Sequence, residues 1–164
     1  MQYKNGEGWR NKLQPVLEKM GIIVFNPYHK PFLKDIEEND ETVKNLAKLI
    51  EEGKFDEAQK IMKEIRSYDL SMVDRSDFIV VYIDPNTPTF GTIEEFVTAV
   101  KIKRPVFIAI EGGKKKCPLW IFGMIPHKYI YDSIDDILDM LVKIDNGEKE
   151  IDSDRWRLFR KEYR

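Results

Sequence analysis

The sequence predicts an α/β domain in three layers: a flavodoxin-like (Rossmann-like) parallel sheet with helices on both faces. Three observations predict it. Short, β-branched apolar runs at 78–83 and 106–110 are bounded by turn residues. Segments with apolar residues at helical spacing lie before, between and after those runs. The two patterns alternate along the chain, as in domains whose parallel strands are joined by helical crossovers.

Taken in order, Gly6-Glu7-Gly8-Trp9-Arg10 leads into Leu13, Val16, Leu17 and Met20, an amphipathic helix closed by Gly21. Pro15 falls inside that pattern and should kink the helix or delay its regular part. Ile22 to Phe25 reads as a short buried strand ending at Asn26-Pro27. Residues 28–40 have no period; His29-Lys30-Pro31-Phe32 and the acidic stretch from Asp35 to Asp40 read as a surface loop. Val43, Leu46, Leu49 and Ile50 mark a helix ended by Gly53. Phe55, Ala58, Ile61, Met62 and Ile65 mark the next, continuing towards Val73. These two helices form an insertion before the central strand, Phe78 to Ile83.

That strand ends at Asp84-Pro85-Asn86, and beyond Gly91 the residues Ile93, Phe96, Val97 and Val100 return to helical spacing. Arg104-Pro105 opens Val106 to Ile110, whose unbroken apolar character is that of a buried parallel strand. Glu111 to Lys116 reads as a solvated loop. Residues 119–125 are apolar but lie among Pro118, Gly123 and Pro126, which predicts an irregular packed segment. Tyr129 to Tyr131 is a last short strand. Ile134, Ile137, Leu138 and Leu141 form a final amphipathic helix with Ser133 as its N-cap.

One domain therefore spans 1–150, and 151–164 is a tail of different character. In it Trp156, Phe159 and Tyr163 fall at helical spacing among Arg155, Arg157, Arg160, Lys161 and Arg164. Interleaved basic and aromatic residues are one pattern of nucleic-acid contact. The rest of the chain is acidic, so a short helix packing on the domain or on a second subunit is the preferred reading.

Composition narrows the function classes. At 164 residues, 42% of them hydrophobic, the chain can bury a real core. A net charge of −2 points to neither nucleic acid nor a membrane surface as partner. Cys117 is the single cysteine, which excludes an intrachain disulfide and fits a reducing, cytoplasmic compartment. No apolar run approaches the roughly 18 residues of a membrane span, and no signal-peptide pattern is present. His29 and His127 share no ligand spacing with Cys117, so no metal is expected. No nucleophile elbow appears. Gly6-x-Gly8-Trp9-Arg10 is neither a Walker loop nor a dinucleotide fingerprint, although its amides and Arg10 could hold an anion.

The carboxylates are more informative. Asp69, Asp74, Asp77, Asp84, Glu94 and Glu95 bracket one strand, and the loop after a strand of an open α/β sheet faces the binding crevice. Two neighbouring carboxylates can divide the work of cleaving a glycosidic bond, one attacking the anomeric carbon and the other assisting departure. A helix N-terminus there would favour the ionised form of the attacking group. Each residue also has a structural explanation. Thr92-Ile93-Glu94-Glu95 fits a capping box, Asp77 a cap, and Asp84 an Asx-turn before Pro85.

Asp69, Asp77 eight residues later, an apolar strand, Gly91-Thr92-Ile93-Glu94-Glu95-x-x-x-Ala99 and a strand after Arg104-Pro105 together resemble the nucleoside 2-deoxyribosyltransferase superfamily. That group includes the deoxyribosyltransferases and the nucleoside 5′-monophosphate N-glycosidases. Gly8-Trp9-Arg10 with Gly21-Ile22-Ile23-Val24-Phe25-Asn26-Pro27 is similar to its phage and bacterial members. The resemblance covers roughly residues 1–142, apart from much of the 28–65 insertion.

It implies an enzyme that cleaves or transfers the 2-deoxyribosyl group of 2′-deoxynucleosides or their 5′-monophosphates. Glu95, four residues after Gly91 and four before Ala99, would be the nucleophile that becomes glycosylated at C1′. Asp69 would position sugar and nucleophile or assist proton transfer to the base. Gly8, Arg10, Asp77, Asn86, Gly91, Thr92 and Glu94 would line the substrate site. The resemblance implies no cofactor, and a homo-oligomer as the assembled form. Two departures stand out. Thr89 occupies the place where transferases carry an acid, six residues before the nucleophile. The family's first strand has no counterpart, so an upstream start of the reading frame is the expectation. The alternative reading is a non-catalytic nucleotide-binding or interaction domain that keeps this fold.

Overall fold

The computed structural model describes residues 6–30, 39–87 and 89–149. The expected tail helix from Trp156 to Tyr163 and residues 31–38 of the expected loop lie outside the described residues. Among the described residues the sheet has three strands, β1 (Ile79–Ile83), β2 (Val106–Ile110) and β3 (Ile130–Tyr131). They run parallel in the order β1-β2-β3, with Ile79 opposite Val106 through Ile83 opposite Ile110, and Ile108 opposite Ile130.

All five β2 side chains are buried. Successive strand residues point to opposite faces, so both faces of the sheet are covered at β2. This corrects the expectation that Phe78–Ile83 is the central strand. β2 holds the centre, and β1 pairs with β2 alone among the described strands. The difference is legible in hindsight: Val106-Phe-Ile-Ala-Ile110 has no polar atom to place, whereas Ile79, Val80 and Tyr82 remain partly exposed.

The helices are α1 (Gly6–Lys19), α2 (Asp40–Glu51), α3 (Phe55–Arg75), α4 (Phe90–Lys101), α5 (Leu119–Phe122) and α6 (Ile134–Asp145). α4 packs on β1 and β2, α6 on β2 and β3, α3 on α4 and α2, and α1 on α6. The last contact carries an ion pair from Lys12 Nζ to Asp135 Oδ1 at 2.6 Å. The result is a three-stranded parallel α/β sheet flanked by helices, consistent with a Rossmann-like or flavodoxin-like fold. No described helix is long and apolar enough to cross a membrane.

Four local expectations change. α1 takes in Gly6 and Gly8 and includes Pro15, so its regular part is not delayed. The Asn11 carbonyl that Pro15 cannot bond lies on an exposed residue, where water can take the place of the missing donor.

Ile22–Phe25 is not a strand. Gly21, at φ 77°, ends α1 with a Schellman-type bond from Ile22 N–H to Leu17 O at 3.0 Å. The segment pairs with none of the described strands. The isolated bridge that follows it joins Asn26 to His29, and Ile23 is 84% exposed. Apolar, β-branched sequence favours a strand only where an edge is offered to it.

Residues 119–125 contain the short helix α5, which buries Ile121 and leaves Leu119 and Trp120 exposed; Ile125, beyond the helix, is also buried. The last strand begins one residue later than expected, because Tyr129 belongs to a 3₁₀ turn at His127–Tyr129. Ser133 does cap α6, accepting the Asp136 N–H at 3.2 Å.

Candidate active site

α3 leads into β1 and α4 follows it, and the two helices pack against each other. α3 buries Ala58, Ile65, Asp69 and Val73, a stripe at helical spacing that includes one carboxylate. From α4, Glu95 lies next to Phe96, which is almost wholly buried. Asp69 and Glu95 thereby reach the wall of one cavity of about 460 Å³. Arg66 of α3 clips the same two helices together at the surface, its Nε donating to Glu94 Oε2 at 2.8 Å.

Glu95 is held far from ordinary carboxylate behaviour. Burial pushes its carboxyl up to about 7, and the charge of Asp69 pushes in the same direction. Arg10 and Lys30 oppose that rise, and Glu94 adds to it. Two expectations are corrected here. The capping box is absent: α4 begins at Phe90, and its N-cap is Thr89, whose side chain makes no capping bond. Glu95 consequently sits in the second turn, past the first-turn amides whose field would favour its charge. Burial wins, and no capping duty occupies Glu95.

Asp69 is 7% exposed, and its charge is met by a residue the sequence did not single out. Lys30 Nζ lies 2.8 Å from Asp69 Oδ1, with the lysine side chain wholly buried. Oδ1 is enclosed, and this ion pair is what meets it. The sequence places Lys30 in a surface loop because residues 28–40 carry no period. Nothing in the local pattern distinguishes a lysine that turns inward.

Arg10 lines the cavity from α1. Its guanidinium lies 4.4 Å from the centre of the Trp9 ring and 5.2 Å from that of Tyr28, and it donates to the Gly6 carbonyl. Trp9 stacks in turn on Tyr82, with ring centroids 6.1 Å apart.

The other candidate residues divide cleanly. Asp77 joins Arg10, Asp69 and Glu95 on the cavity wall. Gly8, Asn86, Gly91, Thr92 and Glu94 are not part of that wall. Asn86 is exposed in the turn after β1, where its N–H donates to Asp84 Oδ1 at 2.9 Å, the Asx-turn expected of Asp84. Glu94 is engaged by Arg66, whose guanidinium holds its carboxyl below the ordinary value. No group of three or more His, Cys, Asp or Glu side chains among the described residues has the geometry of a metal site.

A mainly apolar cavity whose wall also carries three carboxylate residues, Asp69, Asp77 and Glu95, and two arginines, Arg10 and Arg75, has the make-up of a small-molecule site. No protein-family model matches the chain. No curated protein matches it either.

Proposed function

We propose that the protein cleaves the N-glycosidic bond of 2′-deoxynucleosides or their 5′-monophosphates, with Glu95 as nucleophile. The observation that carries this reading is the meeting of Glu95 and Asp69 on one cavity wall, with Glu95 relieved of any capping role. The ionised Glu95 oxygen bonds to C1′ as the bond from C1′ to the base nitrogen breaks. The departing base takes its proton from water, because Thr89 stands where an acid would otherwise supply it. Water or a second base then attacks C1′ and releases Glu95, with net retention of configuration. Asp69 accepts a hydrogen bond from a sugar hydroxyl. In this reading Arg10, on the cavity wall, meets the 5′-phosphate.

The finer parts of the reading belong to the same proposal. The protein works in the cytoplasm as a homo-oligomer and needs no cofactor.

Incubation with deoxynucleosides and deoxynucleotides, with and without an acceptor base, tests the reaction and separates transfer from hydrolysis. Activity is expected from the wild type and lost in Glu95→Ala. The acid limb of kcat/KM should lie near 7, because only the ionised carboxylate attacks. Binding without turnover would instead favour the nucleotide-binding domain.

A further inference from the structure

The turn after α1 is anchored by a buried asparagine. Asn26 Nδ2 donates to Gln14 Oε1 at 3.0 Å, while Asn26 Oδ1 accepts the Tyr28 N–H at 3.1 Å. The Asn26 carbonyl accepts the His29 N–H at 3.0 Å. One short stretch therefore presents Tyr28 to the Arg10 guanidinium and sends Lys30 inward to Asp69.

Lys30 is 1% exposed, and its ammonium also lies 5.1 Å from the centre of the Tyr68 ring. Burying an ammonium so completely is costly without a countercharge, and the Asp69 carboxylate meets that need. Lys30 is not part of the cavity wall. It stands behind Asp69.

We infer that Lys30 is a positioning residue: its buried ammonium fixes the Asp69 carboxylate and supplies the positive charge that lets Asp69 and Glu95 adjoin one cavity. The charged groups acting on Glu95 come from every side. Asp69 of α3 and Glu94 of α4 disfavour its ionisation; Arg10 of α1 and Lys30 of the turn favour it. Glu94 is itself bonded to Arg66. Without Lys30, Arg10 alone would offset the burial of Glu95 and the charge of Asp69, and Glu95 would ionise at a higher pH.

The functional consequence rests on Glu95 being the nucleophile, but the test does not. Carboxyl carbons of ¹³C-labelled glutamate are titrated by NMR in wild type, Lys30→Met and Lys30→Arg, with Glu95→Gln assigning the resonance. The Glu95 midpoint is expected to rise in Lys30→Met by about half a pH unit or more and to return towards wild type in Lys30→Arg. If the wild type turns over deoxynucleosides, the acid limb of kcat/KM moves with that midpoint. A purely structural lysine would move neither.

An unchanged midpoint in a folded Lys30→Met protein overturns the inference. Should that variant not fold, ¹⁵N-lysine spectra of the wild type decide it. A slowly exchanging Lys30 ammonium is expected, and an Nζ that exchanges at the rate of exposed lysines overturns it. Absence of turnover alongside the expected titration would count against the glycosidase reading and leave the role of Lys30 standing.

Discussion

Replacing Glu95 by glutamine should stabilise the protein at alkaline pH while removing its proposed nucleophile. The carboxyl titrates near 7 in the fold, against an ordinary value of 4.5 for the unfolded chain. Below about 4.5 the group is protonated in both states and contributes no pH dependence. As pH rises from 4.5 to 7, the unfolded chain releases this proton while the fold retains it, so stability falls. Above about 7 the full penalty is present, of the order of 3 kcal/mol. Glutamine keeps the shape and cannot ionise. Groups common to both proteins cancel when the two are compared at each pH.

Glu95→Gln should therefore exceed wild type by up to about 3 kcal/mol more at pH 8 than at pH 4.5. For a chain of this length that difference corresponds to a Tm gain of about 6–12 °C. Urea unfolding at several pH values, with unchanged m values, measures it directly. Parallel stability–pH curves for the two proteins would refute the reasoning, because they would mean that burial and Asp69 do not hold the proton on Glu95. A stabilised but inactive variant would be the pattern expected of a site whose function opposes stability.

Two further predictions concern the scaffold. Ile137 is 0% exposed on the buried face of α6, so Ile137→Ala should lower stability by about 2–5 kcal/mol, read as a shift of the urea midpoint. Ser133→Ala removes the side-chain acceptor for the Asp136 N–H; a loss of about 1 kcal/mol is expected, with the acid limb of any turnover unmoved.

The legible parts of the fold were those governed by local pattern. Gly21 and Gly53 both sit at positive φ just past helix ends, as their place in the sequence implied. α3 extends beyond Val73 to Arg75, which carries Asp69 on a buried face. Ile22–Phe25 misled because apolar content reports suitability for a strand and not the presence of a neighbouring edge. The capping box misled because Thr92 through Glu95 has the right residue types one turn inside the helix.

The candidate site shows the same division. Glu95 and Asp69 were singled out from the sequence, and both line the cavity. Lys30 was not, because a buried charge in an aperiodic turn leaves no periodic trace.

The sequence by itself determined the alternation of strands and helices, the fully apolar run that becomes β2, the Ser133 cap and the carboxylates around β1. These depend on neighbours a few residues apart, where spacing and side-chain chemistry are sufficient. Tertiary structure alone decided that β2 is central, that Asp69 and Glu95 reach one cavity, and that Lys30 stands behind Asp69. It also decided the proton affinity of Glu95. Burial and the charges of Asp69, Arg10 and Lys30 act through space, and residues as far apart in the chain as Arg10 and Glu95 become neighbours only when the helices pack.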